Sequence, residues 1–216
     1  MTSPLDPANS FSARFSGMRD ELTRDFKRAY ERAEASQEVS ERRAAVRAAF
    51  ADLESVLFMM RQLALARPEV HREFSRGELA LLHEESYSLD ASGEVRVRPG
   101  FARLEDALPF TLRMLARGCP TAYSLDKSGR GWQALLSAIR IRHRVTHPKR
   151  PEDIEISADQ LATVLEAWKW THEVIAYNMA GVIADLRNEK GRVEAEWRSL
   201  AGMPVDPSDE GHKQNS

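Results

Sequence analysis

Two imidazoles and a guanidinium sit within one short stretch of this chain. They are Arg142, His143 and His147, with Thr146 beside the last of them. An imidazole takes and gives a proton near neutral pH. A guanidinium grips two oxygens of a phosphate or carboxylate at once. Together these groups can carry out proton transfer on an anion without a metal. In an unbroken helix, however, the side chains of Arg142 and His147 point roughly 140° apart. They converge only if the last turn is distorted or if a second chain completes the site.

The element that must position them is a helix. Trp132, Leu135, Leu136 and Ile139 recur at i, i+3, i+4 and i+7, the spacing of one apolar helical face. Carrying that face further brings Arg142 and His143, then Thr146 and His147. Polar groups on a core-facing stripe must find partners, so a polar pocket is expected where the stripe changes character. Pro148 disfavours helical geometry at His147, which sets the helix end there.

From Lys127 to Arg150 there are seven basic residues and no acidic one, in a chain of formal net charge −2. So dense a local excess suits a phosphate-bearing partner, with Arg140, Arg144, Lys149 and Arg150 flanking the motif as nucleic-acid-binding candidates. The bland alternative is a solvated face balanced in space by the acids that follow, Glu152, Asp153, Glu155 and Asp159.

Other candidates are weaker. Glu54 lies at the edge of an apolar helix face, between Phe50 and Phe58, and by itself reads as a solvated carboxylate. His143 and His147 also have the i, i+4 spacing of two zinc ligands. No third ligand follows nearby, so no metal site is assigned. His172 falls on an apolar stripe and reads as a satisfied core histidine. Cys119 is the only cysteine, which rules out a disulfide framework within the chain and fits a reducing cytoplasm.

A length of 216 residues, 42% of them hydrophobic and 30% charged, suits one globular domain. The start of the chain lacks the basic-then-apolar pattern of a signal peptide. The most apolar window, Val174 to Ala184, is too short to span a bilayer. No membrane association is expected.

The periodicities predict an all-α, up-and-down bundle of about five or six helices filling residues 10–200, between a flexible N-terminus (1–9) and a disordered tail (201–216). Helices are expected over Ser10–Ala35, Val39–Arg67, part of 69–86, 102–118, and from Gly131 to the motif. The last opens on a capping box of Ser157 and Gln160 and runs to Leu186 or Leu200. Alternation around Glu94–Arg98 after the turn cluster Asp90-Ala91-Ser92-Gly93 points to a small hairpin near 87–98, or to an irregular insertion.

The segment 142–149 resembles the Arg-x4-His motif of the HEPN superfamily. Arg142 and His147 are the motif residues, and Pro148-Lys149 follows the histidine. The polar residue directly after the arginine is His143, where members often carry asparagine. Over residues 40–190 the resemblance extends only to helical order. It implies a HEPN-like bundle and a metal-independent, cofactor-free endoribonuclease of a defence, abortive-infection or toxin–antitoxin type. In that picture the RNA 2′-OH attacks its own phosphate, leaving a 2′,3′-cyclic phosphate. His147 serves as acid or base, Arg142 holds the phosphate, and His143 orients them or carries a second proton. Glu54 and Thr146 support the site. The resemblance further implies a homodimer whose two motifs line one cleft, and an antitoxin or other defence partner protein. The same residues also suit a non-catalytic HEPN-like module that binds RNA, a nucleotide or a protein. A purely structural end plug, with Arg142 bridged to an acid such as Glu54, is the remaining option.

Overall fold

Six α-helices and one two-stranded hairpin make up the described part of the chain. The computed structural model describes the backbone of residues 7–36, 38–67, 73–119 and 123–200, with side chains from 17 to 193 within those spans. Helix α1 is Pro7–Ser36, α2 is Val39–Leu65 and α3 is the short Arg76–Leu82. Strands β1 (Glu85–Leu89) and β2 (Val95–Pro99) follow. Then come α4 (Leu104–Leu115), α5 (Arg130–Thr146), a 3-10 turn (Pro151–Ile154) and α6 (Ala158–Leu200). The architecture is an all-α helical bundle with a small hairpin, as the periodicities predict. The tail 201–216 and residues 1–6 lie outside the described residues, while 7–9 already belong to α1.

Helix α2 is the hub, packing against α1, α4, α5 and α6. Its apolar stripe of Val46, Phe50, Leu53, Leu57, Met60 and Ala64 is buried throughout. Phe26 of α1, Leu108 and Leu112 of α4, Leu135 of α5 and Val164 of α6 meet it in one core. Burying large apolar side chains of this kind stabilises by roughly 1.5–3 kcal/mol each before entropy is set against it.

Local signals set the helix ends. Ser157 Oγ accepts the Gln160 amide at 3.2 Å, and the Gln160 side chain accepts the Ser157 amide at 3.1 Å, the reciprocal cap expected for α6. Ser75 and Glu78 form the same device at α3. Two bonds from the Arg117 guanidinium, with the cap, hold the Glu78 carboxyl down at about 2. Pro109 sits inside α4.

The hairpin is antiparallel, with Tyr87 opposite Val97 and Leu89 opposite Val95 on one face and Arg96 and Arg98 on the other. Gly93, in the left-handed region at φ +82°, makes its turn. Arg96 is paired with Asp90 at 2.8 Å.

Gly131 is required for a packing reason. A Cβ there would lie 2.0 Å from Cδ1 of Trp170, within the indole of α6. Gly131→Ala is therefore expected to destabilise by about 1–3 kcal/mol through overpacking. The check is a lowered urea midpoint at unchanged slope.

Candidate functional site

The buried face of α5 differs from the stripe read in the sequence. Trp132 and Leu135 are buried as expected, but the face continues through Ala134, Ala138, Ile141 and Val145, while Leu136 and Ile139 are only half-buried. The core stripe thus stays apolar to the end of the helix. Arg142 and His143 lie on its shoulder and do not interrupt it. Alanines carry little hydrophobic weight in a pattern, so the true centre of the face is rotated from the bulky residues.

Helix α5 ends where Pro148 requires. His147 leaves helical geometry at φ −127°, ψ 61°, though its amide still reaches the His143 carbonyl at 3.0 Å. Thr146 Oγ1 donates to the Arg142 carbonyl at 2.7 Å, tightening the last turn. The loop beyond is stitched down. Asp153 Oδ2 accepts the amides of Lys149 and Arg150 at 2.9 and 3.0 Å. Those amides, with the neighbouring arginines, hold its carboxyl below the usual range.

The motif residues are near one another without forming one constellation. The rings of His143 and His147 stand 5.3 Å apart, centroid to centroid, and both side chains are exposed. Arg142 turns the other way. It donates to Glu54 Oε1 of α2 at 2.9 Å, with its guanidinium 5.8 Å from the centre of the Phe50 ring. Glu54, 88 residues earlier in the chain, is thus the acid that meets the Arg142 guanidinium. At 40% and 50% side-chain exposure the pair contributes at most about 1 kcal/mol. Among the described residues no hydrogen bond joins Arg142 to His147. His143 and His147 do not belong to any group of three metal-ligating side chains there.

An open cleft of about 830 Å³ adjoins this end of α5. Arg142 and His143 line it, with Ile139 and Arg140 one turn back; His147 is not part of its wall. The facing walls come from α2 and from the segment between β2 and α4. They bring Phe50, Glu54, Phe58, Arg61, Phe101 and Arg103. Arg61 is buried and ion-paired to Glu84. Burial pulls Arg61 down, opposed by the carboxylate. Glu84 holds a left-handed backbone, φ 56°, at the entrance to β1, the kind of strained position that tertiary contacts must support.

Part of the cationic excess of residues 127–150 is engaged within the chain. Lys127 lies over Trp132, and Arg130 pairs with Glu166 at 2.7 Å. Arg144, expected at a nucleic-acid surface, instead donates to the carbonyls of Glu152 and Glu155 and to the Gln160 side chain at 2.9–3.2 Å. It acts as a clamp on the loop that carries His147. Arg140 and Lys149 are exposed and make no ion pair among the described residues. Arg150 is exposed beside Asp153.

Asp52 was not legible as important. Its carboxylate is fully buried and accepts Trp168 Nε1 at 2.6 Å, His172 Nε2 at 2.7 Å and Thr23 Oγ1 at 2.9 Å. One acid therefore locks α1, α2 and α6 together, two residues from Glu54. His172 finds its partner in Asp52, as expected of a satisfied histidine, but its ring is only partly buried. The signal for Asp52 was its place in the row Ala45, Ala49, Asp52, Val56, an acid on an otherwise apolar face.

No family model matches the chain, and neither a curated protein nor a solved structure matches it. Fold and site define a helical bundle with an amphipathic cleft beside an exposed pair of histidines. No described helix is long and apolar enough to cross a membrane.

Proposed function

We propose that the protein is a metal-independent endoribonuclease of the HEPN type, acting through Arg142, His143 and His147. The observation that carries this reading is that Arg142 and His143 line an open cleft at the helix end where His147 stands exposed, 5.3 Å from His143. RNA brings its own nucleophile, so the protein must move two protons and hold charge. One imidazole takes the 2′-OH proton as O2′ bonds to phosphorus. The P–O5′ bond breaks and a second imidazole protonates O5′, giving a 2′,3′-cyclic phosphate and a 5′-OH. Arg142, leaving Glu54, holds the non-bridging oxygens.

Because Arg142 and His147 diverge within one chain, a second copy is the simplest source of the missing group. A homodimer is thus part of the proposal, as is a restraining partner protein of the defence type. Cytoplasmic placement goes with it.

The test is incubation of the purified protein with RNA in EDTA. Fragments ending in 2′,3′-cyclic phosphate are expected, and absence of cleavage overturns the reading.

A second reading, a non-catalytic module that binds RNA, nucleotide or protein, is favoured by two observations. Glu54 already occupies Arg142, and His147 lies off the cleft wall. RNA binding that survives His147→Ala, with no turnover, would mark it.

A further inference from the structure

We propose that the cleft is a base-binding subsite, in which Phe101 stacks on one unpaired nucleobase of the RNA whose phosphate Arg142 and His143 face. The inference rests on the ribonucleic-acid reading above and adds the residue that selects an unstacked, single-stranded segment.

Phe101 carries the argument. It is 79% exposed, the most exposed large apolar side chain in the described core and surface, yet it lines the cleft. The backbone directly before it, by contrast, is anchored. Gly100 donates to the Glu84 carbonyl at 2.6 Å. A Cβ at Gly100 would stand 2.9 Å from the carbonyl carbon of Glu85, so only glycine lets β2 close against the start of β1 there. The hairpin base therefore holds an aromatic ring at the cleft rim, where the core has no use for it.

The rest of the lining fits a nucleotide. Phe50, Phe58 and Ile139 supply apolar wall, while Arg103, Arg140, Arg142 and His143 supply cationic and donor groups for phosphate and base edge. Of the three carboxylates that also line the cleft, Glu54 is paired with Arg142 and Glu84 with Arg61, and Glu105 stands at the start of α4. Pockets for small ligands run roughly 300–1,000 Å³, so about 830 Å³ admits a nucleotide and its neighbouring phosphates. Aromatic side chains stack on splayed-out bases of single-stranded RNA, whereas bases paired in a duplex keep their faces covered.

The test uses a short 2′-O-methyl oligoribonucleotide carrying 2-aminopurine, which cannot be cleaved and whose fluorescence falls on stacking. Wild-type protein is expected to bind it with quenching and to bind the matching duplex at least about tenfold more weakly. Phe101→Ala should lose the quench and about tenfold to a hundredfold in affinity, while Phe101→Tyr retains both. The side chain is exposed, so these variants should keep the wild-type circular dichroism. If Phe101→Ala binds as wild type while Arg142→Ala binds weakly, the base subsite is overturned and the phosphate reading stands. Duplex binding as tight as single-strand binding also overturns it. If wild type binds neither strand form, both readings fall, and capture of an apolar peptide by the cleft would then identify a protein partner as its occupant.

Discussion

Asp52→Ala is expected to lower the stability of the fold by about 3–5 kcal/mol, a large share of the roughly 5–15 kcal/mol typical of a domain. The carboxylate is fully buried and serves three donors, Trp168 Nε1, His172 Nε2 and Thr23 Oγ1. Truncation leaves an indole N–H, an imidazole and a hydroxyl without their acceptor, each costing about 1–3 kcal/mol if it stays dry. Some of that is recovered where the partly open His172 ring and Thr23 reach water. Asp52→Asn keeps the volume but offers one acceptor oxygen in place of two, so a smaller loss is expected. Burial works against the charged form of Asp52, yet the bonds from His172, Trp168 and Thr23 outweigh it and hold its carboxyl below the usual range. A depressed folded-state value stabilises the fold above the unfolded value of about 3.9, and that stabilisation is lost as pH falls through the folded one. Urea titrations at pH 7 and at successively lower pH read both effects. A wild-type midpoint in Asp52→Ala at pH 7 would show that α1, α2 and α6 hold together without this node.

His147→Ala is expected to reduce RNA cleavage by about 10²–10⁴-fold, the range for a lost general acid or base. Its side chain is exposed, past the end of α5, so the variant should fold as wild type and the loss is read as chemistry. Arg142→Ala should lose about 10²–10³-fold, in keeping with removal of one group that steadies developing charge. Arg142→Lys should not restore it, since an ammonium cannot make the two-pronged hold. His143→Asn separates two roles. Retained activity assigns His143 an orienting role, whereas a further hundredfold loss makes it the second proton carrier. Mixing the inactive Arg142→Ala and His147→Ala chains should recover part of the cleavage if two copies complete each site. Cleavage by His147→Ala at the wild-type rate would sink the ribonuclease proposal.

Helix positions, the cap of α6 and the end of α5 at Pro148 could all be read along the chain, because each depends on residues within a turn or two of one another. Ser157 and Gln160 cap α6 from three residues apart, and His147 leaves the helix because the next residue is proline. The motif Arg142-His143…His147 was visible for the same reason.

Facing was another matter. The core side of α5 follows Ala134, Ala138, Ile141 and Val145, and nothing local ranks those residues above Leu136 and Ile139. Packing against α2 and α6 decides it. Nor does spacing reveal that Arg142 meets Glu54, that Asp52 collects donors from α1 and α6, or that Arg144 clamps a loop. One wall of the cleft is made where the hairpin base brings Phe101 and Arg103 opposite α5, the others by α2 and α4. Short-range periodicity follows from backbone geometry that every residue shares. Partners across the bundle are chosen by side-chain volume and by the need of each buried polar group for an acceptor, and those conditions are met only once the helices are in place.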